Sequence, residues 1–374
     1  MSLATIHNGK GKTMSETDQN SQQPLQQTDF EEITTLVYAE FQVEEALMEH
    51  NIPTYYLKQP QETKQPFLRL LKNLEKIGFI AFLRRKNGRV VLRVTPKPPT
   101  KPSNILINWL LFFATIGTTF LTGYMISSEP LNPLIGGITF TISIMAVLGI
   151  HEMGHKITAN KRGIEATSPY FIPGPPPIGG ILGIGTFGAV IMQKSLPPNK
   201  DALFDVGASG PVAGFFAAVI AATVGISFSH YTVISENAPT LPTPILFWLI
   251  GHWVSPSGPI PQPSPGEILA ISLHPVAFAG WVGIIVTMLN LLPAAMLDGG
   301  HIARSLVGEK LRGILTALSI ILLIIEGFWP MAFFVLFLSM YRHPGPLDDV
   351  SSLSKGRKIF TIVLLLIFVL CFFI

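Results

Sequence analysis

From residue 105 onward the sequence is a succession of apolar runs, several of them about as long as a bilayer requires. This limits the fold more than any other feature, because a chain in lipid must satisfy its backbone internally and so crosses as helices or as a closed barrel. One run breaks the pattern. Residues 134–150 carry no charged side chain, and then His151-Glu152-Met153-Gly154-His155 follows at once. On a helix, residues four apart share a face, so His151 and His155 stand one turn above the other. Two imidazoles so placed can hold one Zn²⁺, and Glu152 beside the first can hold and deprotonate a metal-bound water. A pair of hydrogen-bonded helix histidines is the plainer reading of the same motif. Ionisable groups inside an apolar run are costly, which favours a functional role.

A catalytic zinc takes three protein ligands and keeps one position open. A second polar cluster, Asn290 to His301, interrupts another apolar run far downstream, and Asp298 within it is the candidate third ligand. Asn290 is a candidate for stabilising an oxyanion or for holding the substrate backbone, or equally for a helix–helix hydrogen bond. Pro293 is placed to unwind the helix ahead of Asp298. His301 reads as an interfacial histidine or as a partner behind a ligand. His274 lies about 36 Å of helix from Asp298 and is a poor ligand, better suited to packing or substrate gating. Asp205 suits a helix cap or a basic partner. His230, His252 and His343 fall in expected loops and are expected to be solvated.

Composition agrees with a membrane protein: charged residues are 13% of the 374, and mean hydropathy is positive. The single cysteine, Cys371, excludes an intramolecular disulfide and a cysteine-based zinc site. No secretory signal peptide is legible in the polar first residues.

The expected fold is mostly α: a polytopic transmembrane helical bundle of six or seven spans, with a re-entrant β-hairpin and a small α+β N-terminal soluble domain. Residues 1–28 are expected to be a disordered tail. Residues 29–95 form the small cytoplasmic domain, 96–103 a Pro/Lys linker, and 104–374 the membrane domain. Within 29–95 the spacing predicts a helix over 29–50, a strand at 52–58, a helix over 67–77 ended by Gly78, and strands at 79–83 and 89–94 joined at Arg85-Lys86-Asn87-Gly88.

Spans are predicted near 105–125, 134–157, 203–226, 269–292, 311–325, 329–341 and 359–374. The small residues Gly207 to Gly214 permit close helix packing. Pro173-Gly174-Pro175-Pro176-Pro177 breaks any helix, and 183–193 reads as a strand. Such backbone at membrane depth must be protein-covered or line a wet cavity, so a hairpin dipping toward the metal is expected, its edge able to pair with an extended substrate. A surface loop is the alternative. Residues 228–265 read as a Pro/Ser-rich loop.

No Lys or Arg lies between Lys200 and Arg304. The positive-inside rule therefore puts the N-terminus on the cytoplasmic side, or its organellar equivalent, and 228–265 on the other. It also puts His155 and Asp298 near the same end of their spans, although it uses neither.

His151-Glu152-Met153-Gly154-His155 with Asn290-x-x-Pro293-x-x-x-x-Asp298-Gly299 resembles the site-2 protease family of intramembrane zinc metalloproteases, in particular the archaeal, cyanobacterial and plastid branch. The resemblance covers about residues 104–341, including the Gly-rich hairpin and His274-Pro275, and leaves out the N-terminal domain. No PDZ domain is recognisable. The resemblance implies cleavage of transmembrane helices of membrane-bound proteins, often after a first cut by another protease. The partners expected are therefore a transmembrane-helix substrate and the lipid bilayer, with no nucleic acid.

Two neutral imidazoles, one carboxylate, Zn²⁺ and hydroxide sum to about zero charge, which suits a low-dielectric site. In the expected reaction Glu152 is the general base and later returns its proton to the leaving nitrogen. A metal or ion transporter is the alternative from another class, but no internal repeat of the kind transporters carry is legible. A non-catalytic scaffold that keeps the fold is a third reading, and the intact Glu152 argues against it.

Overall fold

The computed structural model describes residues 27–100, 102–129, 131–178 and 183–373. Most of the tail expected at 1–28 lies outside these. The chain divides into two compact units, Met1–Lys97 and Pro98–Ile374.

The first unit runs α1 (Gln27–Glu40), β1 (Val43–Glu49), β2 (Ile52–Leu57), α2 (Lys64–Lys76), β3 (Phe79–Lys86) and β4 (Arg89–Pro96). The strands form an antiparallel sheet in the order β1-β2-β4-β3. Ile33 and Val37 of α1, Phe67, Leu70 and Leu74 of α2, and Tyr55, Leu83 and Leu92 of the strands are buried. Asn87 and Gly88 both have positive φ, as a two-residue hairpin turn of that twist requires. The single helix expected over 29–50 is corrected here: it stops at Glu40, and 43–49 is β1. His50 and Asn51 also have positive φ and turn β1 back onto β2. The apolar residues Val43, Ala46 and Leu47 fit helical spacing, but pairing with β2 decides the outcome.

The second unit is mostly helical. It comprises α3 (Ile105–Ile126), α4 (Pro133–Lys161), α5 (Lys200–Phe228), α6 (Ile245–Trp253), α7 (Pro275–Leu291), α8 (Asp298–Ile325), α9 (Trp329–Ser339) and α10 (Lys355–Cys371), with hairpins β5 (Tyr170–Pro173)–β6 (Thr186–Val190) and β7 (His230–Ser235)–β8 (Glu267–Ser272). Among the described residues, α3, α4 and α5 are long and apolar enough to cross a membrane, and α7 and α9 are shorter apolar helices.

The segment expected as a span from 269 starts as a helix only at Pro275, because 267–272 pairs with β7. The loop expected over 228–265 accordingly holds β7 and α6. The span expected at 311–325 is the second part of α8, which breaks at Gly308, where φ is 79°.

Glycine sets how close the first helices come. A Cβ at Gly123 would lie 2.5 Å from Cβ of Phe140, so α3 and α4 touch backbone to backbone there. The central core joins Val147 of α4, Ala218 and Ala222 of α5, and Ile284 and Met288 of α7. The start of α7 is tied to the end of α5 by His274 N–H donating to Ser229 Oγ at 3.0 Å. His274 also caps α7, its Nδ1 accepting from Val276 N–H at 3.2 Å.

Candidate metal centre

α4 carries His151, Glu152 and His155, all buried. The two histidines face one way along the helix, toward α5 and the first turn of α8. His151 Nε2 lies 3.1 Å from His155 Nε2. Asp298 Oδ2 lies 3.3 Å from the first and 3.2 Å from the second. Metal–ligand bonds of about 2.0–2.1 Å at tetrahedral angles place ligand atoms ~3.3 Å apart. The triangle thus has the edges of one face of a zinc tetrahedron.

The tautomer agrees. His155 Nδ1–H donates to the Val206 carbonyl at 2.7 Å, which leaves Nε2 with a lone pair directed at the cluster. With Asp298 Oδ2 and His151 Nε2 beside it, this lone pair helps form a three-atom cluster that a shared cation would satisfy. Among the described residues, His151, His155 and Asp298 are the one group of such side chains gathered closely enough to hold a metal ion.

α5 makes room for this. A Cβ at Gly210 would stand 2.0 Å from His155 Nε2, and one at Gly214 would stand 2.8 Å from His151 Nδ1. The bend that presents Asp298 lies between the end of α7 at Leu291 and the start of α8. Ala295 within it has φ 44°, unusual for a residue with a side chain. Its N–H donates to Thr316 Oγ1 at 3.0 Å, and its carbonyl accepts from Arg312 Nη1 at 2.9 Å. Gly299 and Gly300 are required by the same bend: their Cβ atoms would come within 2.2 Å of the Leu291 carbonyl and 2.4 Å of the Ala295 carbonyl.

Glu152 Oε1 lies 4.0 Å from His151 Nε2, beside the cluster and outside it. Its carboxylate accepts a hydrogen bond from the backbone of Ile191, the residue after β6. Asn290 Nδ2 is 3.5 Å from His151 Nε2, so its amide borders the same space. The hairpin is held along α3: Asn108 Nδ2 donates to the Pro169 carbonyl at 2.8 Å, and Thr118 Oγ1 donates to the Gly185 carbonyl at 2.6 Å.

Of the other polar residues, Asp205 pairs with Arg162 and Arg357. His252 is exposed, and His230 begins β7. His343 corrects its expected solvation: it is 7% exposed and hydrogen-bonds His301 at 2.7 Å. Gly210, Gly214, Ile191, Arg312 and Thr316 are not legible in the sequence as parts of the site. The glycine spacing on α5 signals close packing, but not what packs there.

The model of peptidase family M50 matches residues 139–325, half of the 374-residue chain, from within α4 to the last residue of α8. The chain is 32% identical over 228 residues to "Probable zinc metalloprotease EGY2, chloroplastic" of Arabidopsis thaliana, covering 60% of this chain and 38% of that protein. It is 24% identical over 312 residues to the protein of that name from Oryza sativa subsp. indica, covering 78% and 54%. Against "Probable zinc metalloprotease EGY1, chloroplastic" of Arabidopsis thaliana, identity is 26% over 253 residues, covering 65% and 44%. The chain thus spans from about two fifths to about half of the length of these relatives. No solved structure matches.

Proposed function

This chain belongs to peptidase family M50, and from that premise we propose that it is an intramembrane zinc metalloendopeptidase, hydrolysing peptide bonds within or near transmembrane helices of membrane-bound substrates. The observation that carries the reading is the triangle of His151 Nε2, His155 Nε2 and Asp298 Oδ2, with edges of 3.1–3.3 Å and Glu152 beside it. A zinc ion held there supplies a Lewis acid that polarises a carbonyl and acidifies a water. Glu152 takes the proton of the attacking water and delivers it to the leaving nitrogen. The Ile191 N–H bond orients its carboxylate. The Asn290 amide, at the edge of the cluster, stabilises the oxyanion or holds the substrate backbone.

The hairpin supports membrane-depth binding of an extended peptide. Thr118, which holds the Gly185 carbonyl, lies about 20 Å along α3 from its start at 1.5 Å per residue. In a bilayer core of about 30 Å that is a re-entrant position. Phe187 and Val190 of β6 are exposed. An unwound substrate strand added to this edge would meet Glu152 through the next residue, Ile191.

We read α3, α4, α5, α7, α8 and α10 as crossings and α9 as the short return that brings residues 342–351 back beside the first turns of α8. For α10, the first turn is tied to the start of α5 by Arg357 and Asp205. Its far end meets the 244–245 segment, where Ile245 N–H donates to the Phe372 carbonyl at 2.8 Å. It therefore runs from the start of α5 to the start of α6. The charge pattern puts the N-terminus and the metal centre toward the cytoplasmic or equivalent face.

The test is cleavage of a model transmembrane substrate by the purified protein in detergent, wild type beside Glu152→Ala, with zinc quantified in both. The expected result is about one zinc in each and a rate lower by roughly 100- to 10,000-fold in the variant. Absence of zinc from folded, metal-supplied wild type would refute the reading. Transport of metal into vesicles without cleavage would favour a transporter.

A further inference from the structure

His301 stands three residues after Asp298, one turn on along the same face of α8, and its N–H donates to the Leu297 carbonyl at 3.0 Å in the first turn of that helix. Its Nδ1 meets His343 Nε2 at 2.7 Å. His343 lies beyond the residues that match the family model. The direction of this bond is fixed from the far side. Gly345 N–H donates to His343 Nδ1 at 2.9 Å, so in the neutral ring the proton sits on Nε2 and is given to His301. His343 stays neutral: burial first, then His301, Arg312 and Arg304, push its pKa down to about 2.

The segment carrying His343 is clamped at several points. Asp349 takes a two-pronged bond from Arg304 of α8, at 3.0 and 2.7 Å, and lies 3.7 Å from Lys200 Nζ at the start of α5. Leu347 and Asp348 donate backbone bonds to the Pro197 and Pro198 carbonyls at 2.8 and 3.0 Å. Asp348 is fully buried and accepts from the N–H groups of Val350 and Ser351 at 2.9 Å each. Gly345 has φ 68°, and a Cβ there would lie 2.7 Å from Arg304 Nη2. The strap 342–351 is thus a fixed body joining the start of α5 to the first turns of α8, and its one imidazole is spent on His301.

We propose that His343 is a positioning residue for the metal centre: through its hydrogen bond to His301 it fixes the first turn of α8, and with it the carboxylate of Asp298. The proposal rests on Asp298 being a metal ligand. Groups hydrogen-bonded directly to metal ligands typically change metal affinity 10- to 100-fold when removed; His343 acts one residue further out, through His301, so the low end of that range is expected.

The experiment measures zinc affinity of the full chain in detergent by competition with a chelator, together with the visible spectrum of the cobalt-substituted protein. It compares wild type, His343→Phe, His343→Gln and Asp298→Ala, with thermal unfolding of each metal-free protein as the check on folding. Phenylalanine keeps the ring volume and removes the donor; glutamine places an N–H near Nε2. The expected result is about tenfold weaker zinc binding and shifted cobalt bands for His343→Phe, with His343→Gln close to wild type and Asp298→Ala weakest of all. Should the Phe variant not be recovered folded, His343→Asn, too short to reach His301, takes its place with the same expectation. Wild-type affinity in the donor-less variant beside a damaged Asp298→Ala overturns the proposal alone. Equal weakening by Phe and Gln assigns the effect to packing and overturns it too. Wild-type affinity in Asp298→Ala overturns the ligand reading and the proposal with it.

Discussion

The four-residue spacing of His151 and His155 is enough to place both imidazoles on one helix face, but it does not say what the opposing surface must be. That surface is Gly210 and Gly214 of α5. The His155 ring is pinned by its bond to Val206, so it cannot swing away from a methyl group arriving 2.0 Å from Nε2. Gly210→Ala is therefore expected to lower zinc content at least tenfold, read by metal analysis of folded protein, while Gly313→Ala, where a Cβ meets nothing within 4 Å, keeps its zinc. Normal zinc in Gly210→Ala would mean that the histidines do not hold the metal in this geometry. The same contrast explains which parts of the site are legible in the sequence. His151, Glu152, His155 and Asp298 announce themselves because their chemistry is rare in an apolar run. Glycine announces only small volume, and His343, fixed by contacts from Gly345 and His301, looks in the sequence like any loop histidine.

Elements are legible where local chemistry and tertiary pairing agree. The β3–β4 hairpin follows from Asn87-Gly88, and α2 ends where Gly78 takes φ 79°. They are not legible where pairing overrides pattern, as in β1, or where a turn lacks the usual signal, as at His50-Asn51. The β5–β6 hairpin is an intermediate case: the proline cluster rules out a helix, and only the grip of α3 gives the hairpin its place. That grip is testable. Thr118→Val keeps the side-chain shape and removes the donor to the Gly185 carbonyl. Losing one hydrogen bond costs about 1 kcal/mol, or roughly fivefold in the population of the held hairpin. Cleavage is expected to fall about fivefold with bound zinc unchanged. A parallel fall in zinc would show that Thr118 supports the metal centre rather than the hairpin edge.

At the scale of the whole chain, the charge pattern and the helix ties make one joint statement about sidedness. Lys and Arg are absent from 201–303, and within that stretch lie β7, α6 and β8, all beyond the end of α5. The other end of α5 carries the Asp201–Arg357 and Asp205–Arg162 pairs and the strap at 342–351. The Lys and Arg that define the charge pattern thus also make the ties at this end of α5, and both sort the connecting segments into the same two groups. The sole native cysteine, Cys371, is buried, which leaves a quiet background for labelling. In membrane vesicles of known orientation, Asn237→Cys, in the turn after β7, is expected to react with a membrane-impermeant maleimide from the non-cytoplasmic face. Lys86→Cys, at the tip of β3, is expected to react only from the cytoplasmic face. Both reacting from one face would require an odd number of crossings between residues 97 and 237 to be replaced by an even one. The three helices α3, α4 and α5 lie in that interval, and each is long and apolar enough to cross. Such a result would therefore remove one of them from the membrane and put the depth of the metal centre, carried on α4, in question with it.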